Sequence, residues 1–297
     1  MEITKEFKEK VALALIEQRE NYSGSESAFA KRLGINPAIY NRLKNGERDK
    51  LIADVKWLAL GRELGVIISG RKWNTVRTEV FAIIEEEVLF CKEWSKGMMF
   101  VDDCGIGKSY TAEYLSRTVK DCFYVDASQC KERNEFVRAL AQAVGVGQTW
   151  KIRDMKENTK YYLNMLPRPV VIIDEAGDLE YKAFMDLKEY WNATQNRCGW
   201  YLMGPPGLRK KMERGMLDET TGYAEMFSRH SERYSDIVPF EKNEKTAFYR
   251  KLLTDILSAN MTDQSKLKTI VNRCLTIDET GRIGGLRRAE SLVILNS

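Results

Sequence analysis

Lys108 and Ser109 end a run, Met98-Met99-Phe100-Val101-Asp102-Asp103-Cys104-Gly105-Ile106-Gly107-Lys108-Ser109, in which apolar residues give way to a tight glycine turn. A helical pattern, Tyr110 to Val119, follows. An apolar strand, a glycine turn and Lys-Ser ahead of a helix are the layout of a phosphate-binding loop. A triphosphate needs many donors in a small space. Backbone N–H groups of Gly105, Ile106, Gly107, Lys108, Ser109 and Tyr110 supply them, and the helix N-terminus adds its positive dipole. Lys108 reaches the β- and γ-phosphates and Ser109 holds Mg²⁺. The expected cofactors are ATP and Mg²⁺. One position departs from G-x-x-x-x-G-K-[ST]: its first glycine is Asp102. Aspartate tolerates a left-handed backbone better than most residues, but it brings charge near the phosphates.

A second constellation is Val170-Val171-Ile172-Ile173-Asp174-Glu175. Four β-branched residues predict a central parallel strand, buried on both faces. The two carboxylates follow at its carboxyl end, where open α/β sheets place ligands. In that position Asp174 orients Mg²⁺ through its water shell and Glu175 polarises the attacking water. The plainer reading, a strand ending in a solvated acidic turn, loses ground because Gly-Lys-Ser stands about 65 residues upstream.

Those residues need a scaffold, and the chain supplies one. Asp121–Asp126 predicts a strand and Asn134–Val144 a helix. Lys151–Leu166 predicts another helix, Phe184–Trp191 a third, and Gly199–Met203 a strand ending in the turn Gly204-Pro205-Pro206. A last strand is expected over Ser235–Phe240, with helices from Glu241 onward. Strands alternating with helices imply a parallel sheet covered on both faces. Ahead of it, Thr75 starts a helical pattern with Val76, Val80, Phe81, Ile84 and Val88. Gly61 to Asn74 looks like a glycine-hinged linker, and residues from Arg71 onward are expected to approach the adenine.

Residues 1–66 form a separate helical pattern. Phe7, Val11, Leu13, Ala14 and Leu15 give one apolar face, and Asn21–Glu26 is a polar turn able to cap a helix. From Ser27 to Gly46 the spacing suits a helix-turn-helix. Ala30 is small where two helices cross, and Gly34 makes the turn. Phe29, Leu33, Ile35, Tyr40 and Leu43 fill the core, Asn36 caps the second helix and Pro37 starts it. Asn41, Arg42 and Lys44 then face a major groove or phosphates, beside Ala38 and Ile39. The last two are poor base readers, so contact with duplex DNA is expected to be largely non-specific. A small bundle for protein contacts is the alternative use of the same pattern.

The chain has 297 residues, enough for two domains, with 43% hydrophobic and 30% charged residues and a net charge of +4. That charge permits nucleic-acid binding without demanding it. No apolar run is long enough to span a membrane. The first residues lack the basic-then-apolar order of a secretory signal, so a cytoplasmic protein is expected. Six cysteines without a C-x-x-C pair, and one histidine, His230, argue against structural zinc and for reduced thiols.

The order of phosphate loop, hhhhDE strand, short strand, arginine-bearing helix end and helical segment with G-x-x-R resembles an AAA+ ATPase. The closer likeness is to the MuB-type target-capture ATPases of Mu-like transposition, related to the TnsC and IstB helpers. It rests on the N-terminal Cro/repressor-like helix-turn-helix, Val171-Ile172-Ile173-Asp174-Glu175-Ala176, Leu202-Met203-Gly204, Phe227-Ser228-Arg229 and Gly285-Leu286-Arg287. The fold so implied is α/β: a helix-turn-helix domain over 1–66, an AAA+ core with a parallel sheet over 67–240 and a helical lid over 241–297. The resemblance implies Arg229 as an arginine finger and Arg287 as the lid residue sensing the γ-phosphate. It puts Pro205 near the place where the family tends to have a polar sensor. Lys131, Arg133, Lys151 and Arg153 are the further DNA-contact candidates, with ordinary solvated charge the alternative for each.

The resemblance implies an ATPase that assembles as a ring or filament on double-stranded DNA, marks it as a target and recruits or stimulates a transposase. Two other classes use the same core: a helicase loader or replication initiator, and an ATP-switched transcription regulator that does not hydrolyse.

Overall fold

The structure, a computed structural model, describes residues 3–20, 22, 24–64, 66, 73–146, 151–276 and 283–295. Its first helices are α1 (Lys5–Glu20), α2 (Glu26–Arg32), α3 (Pro37–Lys44) and α4 (Asp54–Glu63). Ser25 caps α2 by accepting from the Ala28 N–H, and Asn36 caps α3 by accepting from the Ala38 N–H. Between them Gly34 takes a φ of 62°, the left-handed step that turns the chain. Phe29, Ala30, Tyr40, Leu43, Trp57 and Leu60 are buried together. Two expectations change. On α1 the buried residues are Phe7, Val11, Ala12 and Leu15, whereas Leu13 is 57% exposed. Residues 11, 12 and 15 fall on one face of a 3.6-residue helix and 13 on the other. Gly61 belongs to α4 rather than to a hinge; a side chain there would collide with the Phe7 ring, so the glycine serves helix packing.

Next come α5 (Glu79–Trp94), β1 (Gly97–Val101), α6 (Lys108–Thr118), β2 (Cys122–Asp126), α7 (Arg133–Val144) and α8 (Ile152–Met165). They are followed by β3 (Val170–Asp174), α9 (Tyr181–Ala193), β4 (Gly199–Gly204), α10 (Pro206–Leu217), α11 (Tyr223–Arg229) and β5 (Tyr234–Ser235). The helix expected from Thr75 begins later because Thr78 caps it, accepting from the Phe81 N–H. The strands run parallel in the order β2-β3-β4-β1-β5. Alternate residues of β3 enter opposite cores. Val171 and Ile173 pack with Trp200, Leu202 and residues of α7 to α10; Val170 and Ile172 pack with Phe100, Tyr201, Met203 and residues of α5 and α6. All five β3 residues are buried, and each such apolar side chain contributes about 1.5–3 kcal/mol.

The last helices are α12 (Lys242–Asn260), α13 (Leu267–Cys274) and α14 (Leu286–Leu295). They share a small core of Leu253, Leu257, Ile270, Val271, Cys274, Ala289 and Leu292, against which Trp73 packs. The last strand is shorter than the sequence suggested. β5 has two residues, because the N–H groups of Ile237 and Val238 leave the ladder and donate to Asp102 Oδ2 at 2.6 and 2.9 Å. No helix among the described residues is long and apolar enough to cross a membrane.

Candidate nucleotide site

The phosphate loop leaves the end of β1 and enters α6. Gly105 and Gly107 carry φ values of 74° and 104°, which turn the chain tightly onto the helix start. The first N–H groups of α6 have no intrahelical partner, which makes that end a receptor for anions. Lys108 is buried, and its Nζ donates to the carbonyls of Asp102 (2.8 Å) and Asp103 (2.6 Å). Burial pulls its pKa down. A buried ammonium with one donor still uncommitted suits a phosphate.

Asp102 does not take the left-handed backbone allowed for it. Nor does its charge face the phosphates: the carboxylate is buried and accepts from the N–H groups of Asp103 (2.7 Å), Ile237 and Val238. The position that is usually glycine here ties the phosphate loop to the chain leaving β5.

At the end of β3, Asp174 is 1% exposed; its Oδ1 accepts from the Glu175 N–H (2.9 Å) and its Oδ2 from the Tyr124 hydroxyl (3.1 Å). Glu175 is half-buried with a φ of 49°, a strained conformation for a side chain of that size. Burial first, and Asp174 next, raise its pKa. Tyr124 was missed in the sequence because it looks like any residue of a strand; only the register Tyr124–Ile172, Asp126–Asp174 brings it beside the aspartate.

Lys108 and Glu175 open on a cavity of about 460 Å³, with Asp174 buried behind Glu175 rather than in the lining. Gly105, Ile106, Gly107, Lys108, Ser109, Tyr110 and Glu175 line one part of it, with Arg287 from α14. An apolar part is formed by Val76, Phe81, Ile256 and Leu286 with Trp73, and Asn74, Thr78, Thr111 and Glu290 add polar groups. Its size and mixed lining fit a nucleotide. Tyr110 and Thr75 share a hydrogen bond of 2.5 Å that holds the strap before α5 to the start of α6. Arg71 lies outside the described residues; Trp73, two residues on, lines the cavity. Ile256 carried no local signal, since only the folding back of α12 brings it here. Ser109 and Asp174 are the residues that would hold Mg²⁺. Few protein ligands suffice there, because phosphates and water complete the octahedron.

A family model described as an AAA domain matches residues 98–212. The fold is that of an AAA+ ATPase. This match spans β1 through most of α10 and so contains the phosphate loop and the β3 carboxylates. No curated protein matches the chain. Among solved structures, one titled as a DNA replication initiation factor is 12% identical with a TM-score of 0.46, over 75% of this chain and 62% of that one. Another, AMPPCP-bound DnaA from Aquifex aeolicus, is 13% identical with a TM-score of 0.45, over 74% and 62%. This chain thus spans less than two thirds of the length of either.

The remaining AAA+ candidates lie away from the cavity. Arg229 is half-buried, its guanidinium 5.1 Å from the centre of the Trp191 ring and its Nη1 without a hydrogen-bond partner. Arg233 is exposed. No polar side chain follows β4 directly: Pro205 is the N-cap of α10 and Pro206 its first residue. On α3, Asn41, Arg42 and Lys44 are exposed, with Arg42 paired to Glu47 (2.7 Å) and Lys44 to Glu26 (2.6 Å). Lys131 pairs with Asp178 (2.8 Å), and Arg133 with the buried Asp186 (2.9 Å), which ties α7 to α9. Lys151 and Arg153 are exposed at the start of α8. The exposed pairs are worth little and can be exchanged for phosphate contacts, whereas the Arg133–Asp186 pair is costlier to break.

Proposed function

We propose that the protein is a Mg²⁺-dependent ATPase that assembles on duplex DNA and acts on a DNA-processing partner. The observation that carries this reading is the cavity in which the AAA phosphate loop, Glu175 and the Arg287-bearing lid converge beside an apolar pocket of nucleobase size. Lys108 and the loop amides bind phosphate, and Ser109 and Asp174 hold the metal, which when bound neutralises charge on the phosphates. Glu175 accepts the proton of the attacking water. Burial and the neighbouring Asp174 raise its pKa, the direction that strengthens a base. The exposed face of α3 supports a sequence-tolerant contact with DNA phosphates.

Two partners fit such an ATPase. A transposase is implied by the motif resemblance; an origin or replicative helicase is the task of the loader and initiator class, which includes the DNA replication initiation factor named above. Stimulation of strand transfer and loading of a helicase are separable assays, and each excludes the other reading.

Glu175→Gln tests the chemistry. It should keep ATP binding and lower turnover by about 10²–10⁴-fold, since an amide cannot take the proton. Lys108→Ala should weaken nucleotide binding itself. Both are read by equilibrium binding of a fluorescent ATP analogue and by phosphate release with and without duplex DNA. Wild-type turnover in Glu175→Gln removes the assignment.

A further inference from the structure

Asp103, the second residue of the phosphate loop, faces two ways. Its carbonyl accepts from Lys108 Nζ (2.6 Å), while its carboxylate Oδ2 accepts from the Tyr249 hydroxyl (3.0 Å) and pairs with Lys245 Nζ (2.5 Å). Tyr249 and Lys245 both belong to α12, the first lid helix. Tyr249 is 2% exposed, and burial together with Asp103 raises its pKa, so the hydroxyl stays a donor. Ile256 lies seven residues further along α12, two turns on and on the same face, where it lines the apolar end of the cavity. A second tie runs from the Leu286 N–H of α14 to the Gly105 carbonyl, at 2.8 Å. A side chain on Gly285 would collide with the Gly105 carbonyl, which keeps that approach close.

We propose that Asp103 is a positioning residue that latches the lid to the phosphate loop through Tyr249 and Lys245, and so sets how long a bound nucleotide is held. The inference rests on the ATP-binding reading. The physical sequence is short. A phosphate that engages the free donor of Lys108 fixes the ammonium, and the same ammonium is bonded to the Asp103 carbonyl. Asp103 cannot shift without moving its carboxylate, and the carboxylate carries α12. Because α12 also presents Ile256 to the apolar pocket, contact at the phosphate end and closure at the base end move as one. A lid held only by apolar packing would lack this link.

Stopped-flow release of a fluorescent ADP from the full chain tests it. A hydrogen bond to a charged group is the interaction removed, so Tyr249→Phe should release ADP about tenfold faster with association little changed. Lys245→Met, at a partly exposed position, should act in the same direction without removing a buried group. Asp103→Asn combined with Tyr249→Phe should release no faster than the faster single variant, because both break one tie. Unchanged release in Tyr249→Phe and Lys245→Met overturns the latch while leaving ATP binding intact, and so does a multiplicative effect in the double variant. Absence of any nucleotide binding by the wild type overturns the ATP reading and the latch with it. Thermal melting of Tyr249→Phe should stay near that of the wild type; faster release together with a collapsed fold, and normal release in Lys245→Met, assigns Tyr249 to packing and overturns the latch.

Discussion

Asp102 shows how one residue can look like damage to a motif and act as a joint. Its carboxylate accepts three backbone N–H groups, two of them about 135 residues downstream at Ile237 and Val238. A buried donor left unpaired costs about 1–3 kcal/mol. Asp102→Ala should therefore lower the stability of the domain by about 3 kcal/mol, seen as a lower denaturant midpoint at constant slope. Asp102→Gly, which restores the usual loop spacing, should lose as much; a glycine variant as stable as the wild type would exclude this role. The sequence made Asp102 visible as a departure but gave no means of seeing its partners, because hydrogen bonds between distant segments have no local pattern. The places of Lys108, Ser109, Asp174 and Glu175 in the loop and at the strand end were legible for the opposite reason: their spacing is fixed by the elements that carry them. Tyr124 and Ile256 were not, since only sheet register and helix docking bring them to the site.

The elements themselves were mostly legible, within a few residues, where one periodicity governs a whole segment. β3 and α7 are of this kind. α4 extends to Glu63, into the start of the expected linker, because Gly61 looks like a hinge until the Phe7 ring occupies its space. β5 stopped short because a side chain from the phosphate loop took its hydrogen bonds. The element before it, α11, is followed at its C-cap by His230, which is fully buried against Gly97 at the start of β1. The ring bonds the Met226 carbonyl through Nδ1 at 2.7 Å, while Nε2 has no partner. Burial pushes its pKa down to about 4. The unfolded chain takes up a proton below about pH 6.5, whereas the native ring stays neutral until about pH 4. Stability contributed by the neutral ring is thus present above about pH 6.5 and lost as the pH falls toward 4, by about 3 kcal/mol. Unfolding of wild type and His230→Leu across that range should show the slope in the first and its removal in the second. Equal slopes would place the acid sensitivity elsewhere.

At the scale of the whole molecule, β1 separates the phosphate loop from Arg229. The phosphate loop leaves its carboxyl end, whereas Arg229 and Ser231 meet Gly97 at its amino end. Five strand residues span roughly 16 Å. A finger role for Arg229 therefore belongs to the nucleotide of a neighbouring subunit, and the oligomer is part of the hypothesis. A guanidinium arriving there would stabilise charge developing on the transferred phosphoryl group, an effect that reaches about 10³–10⁵ in rate. Trp191 holds Arg229 half-buried at present, with one buried nitrogen lacking a partner, so the guanidinium has to swing off the ring to meet a neighbour's phosphate. Arg229→Ala and Glu175→Gln should each be nearly inactive. Mixed in equal amounts, they should regain part of the wild-type turnover, because some interfaces then join an intact Glu175 to an intact Arg229 from the next subunit. The measurement is phosphate release on duplex DNA, with co-assembly checked by light scattering. If co-assembled mixtures stay inactive, Arg229 does not act across the interface. The exposed Arg233, carried through the same experiment, then becomes the residue to test.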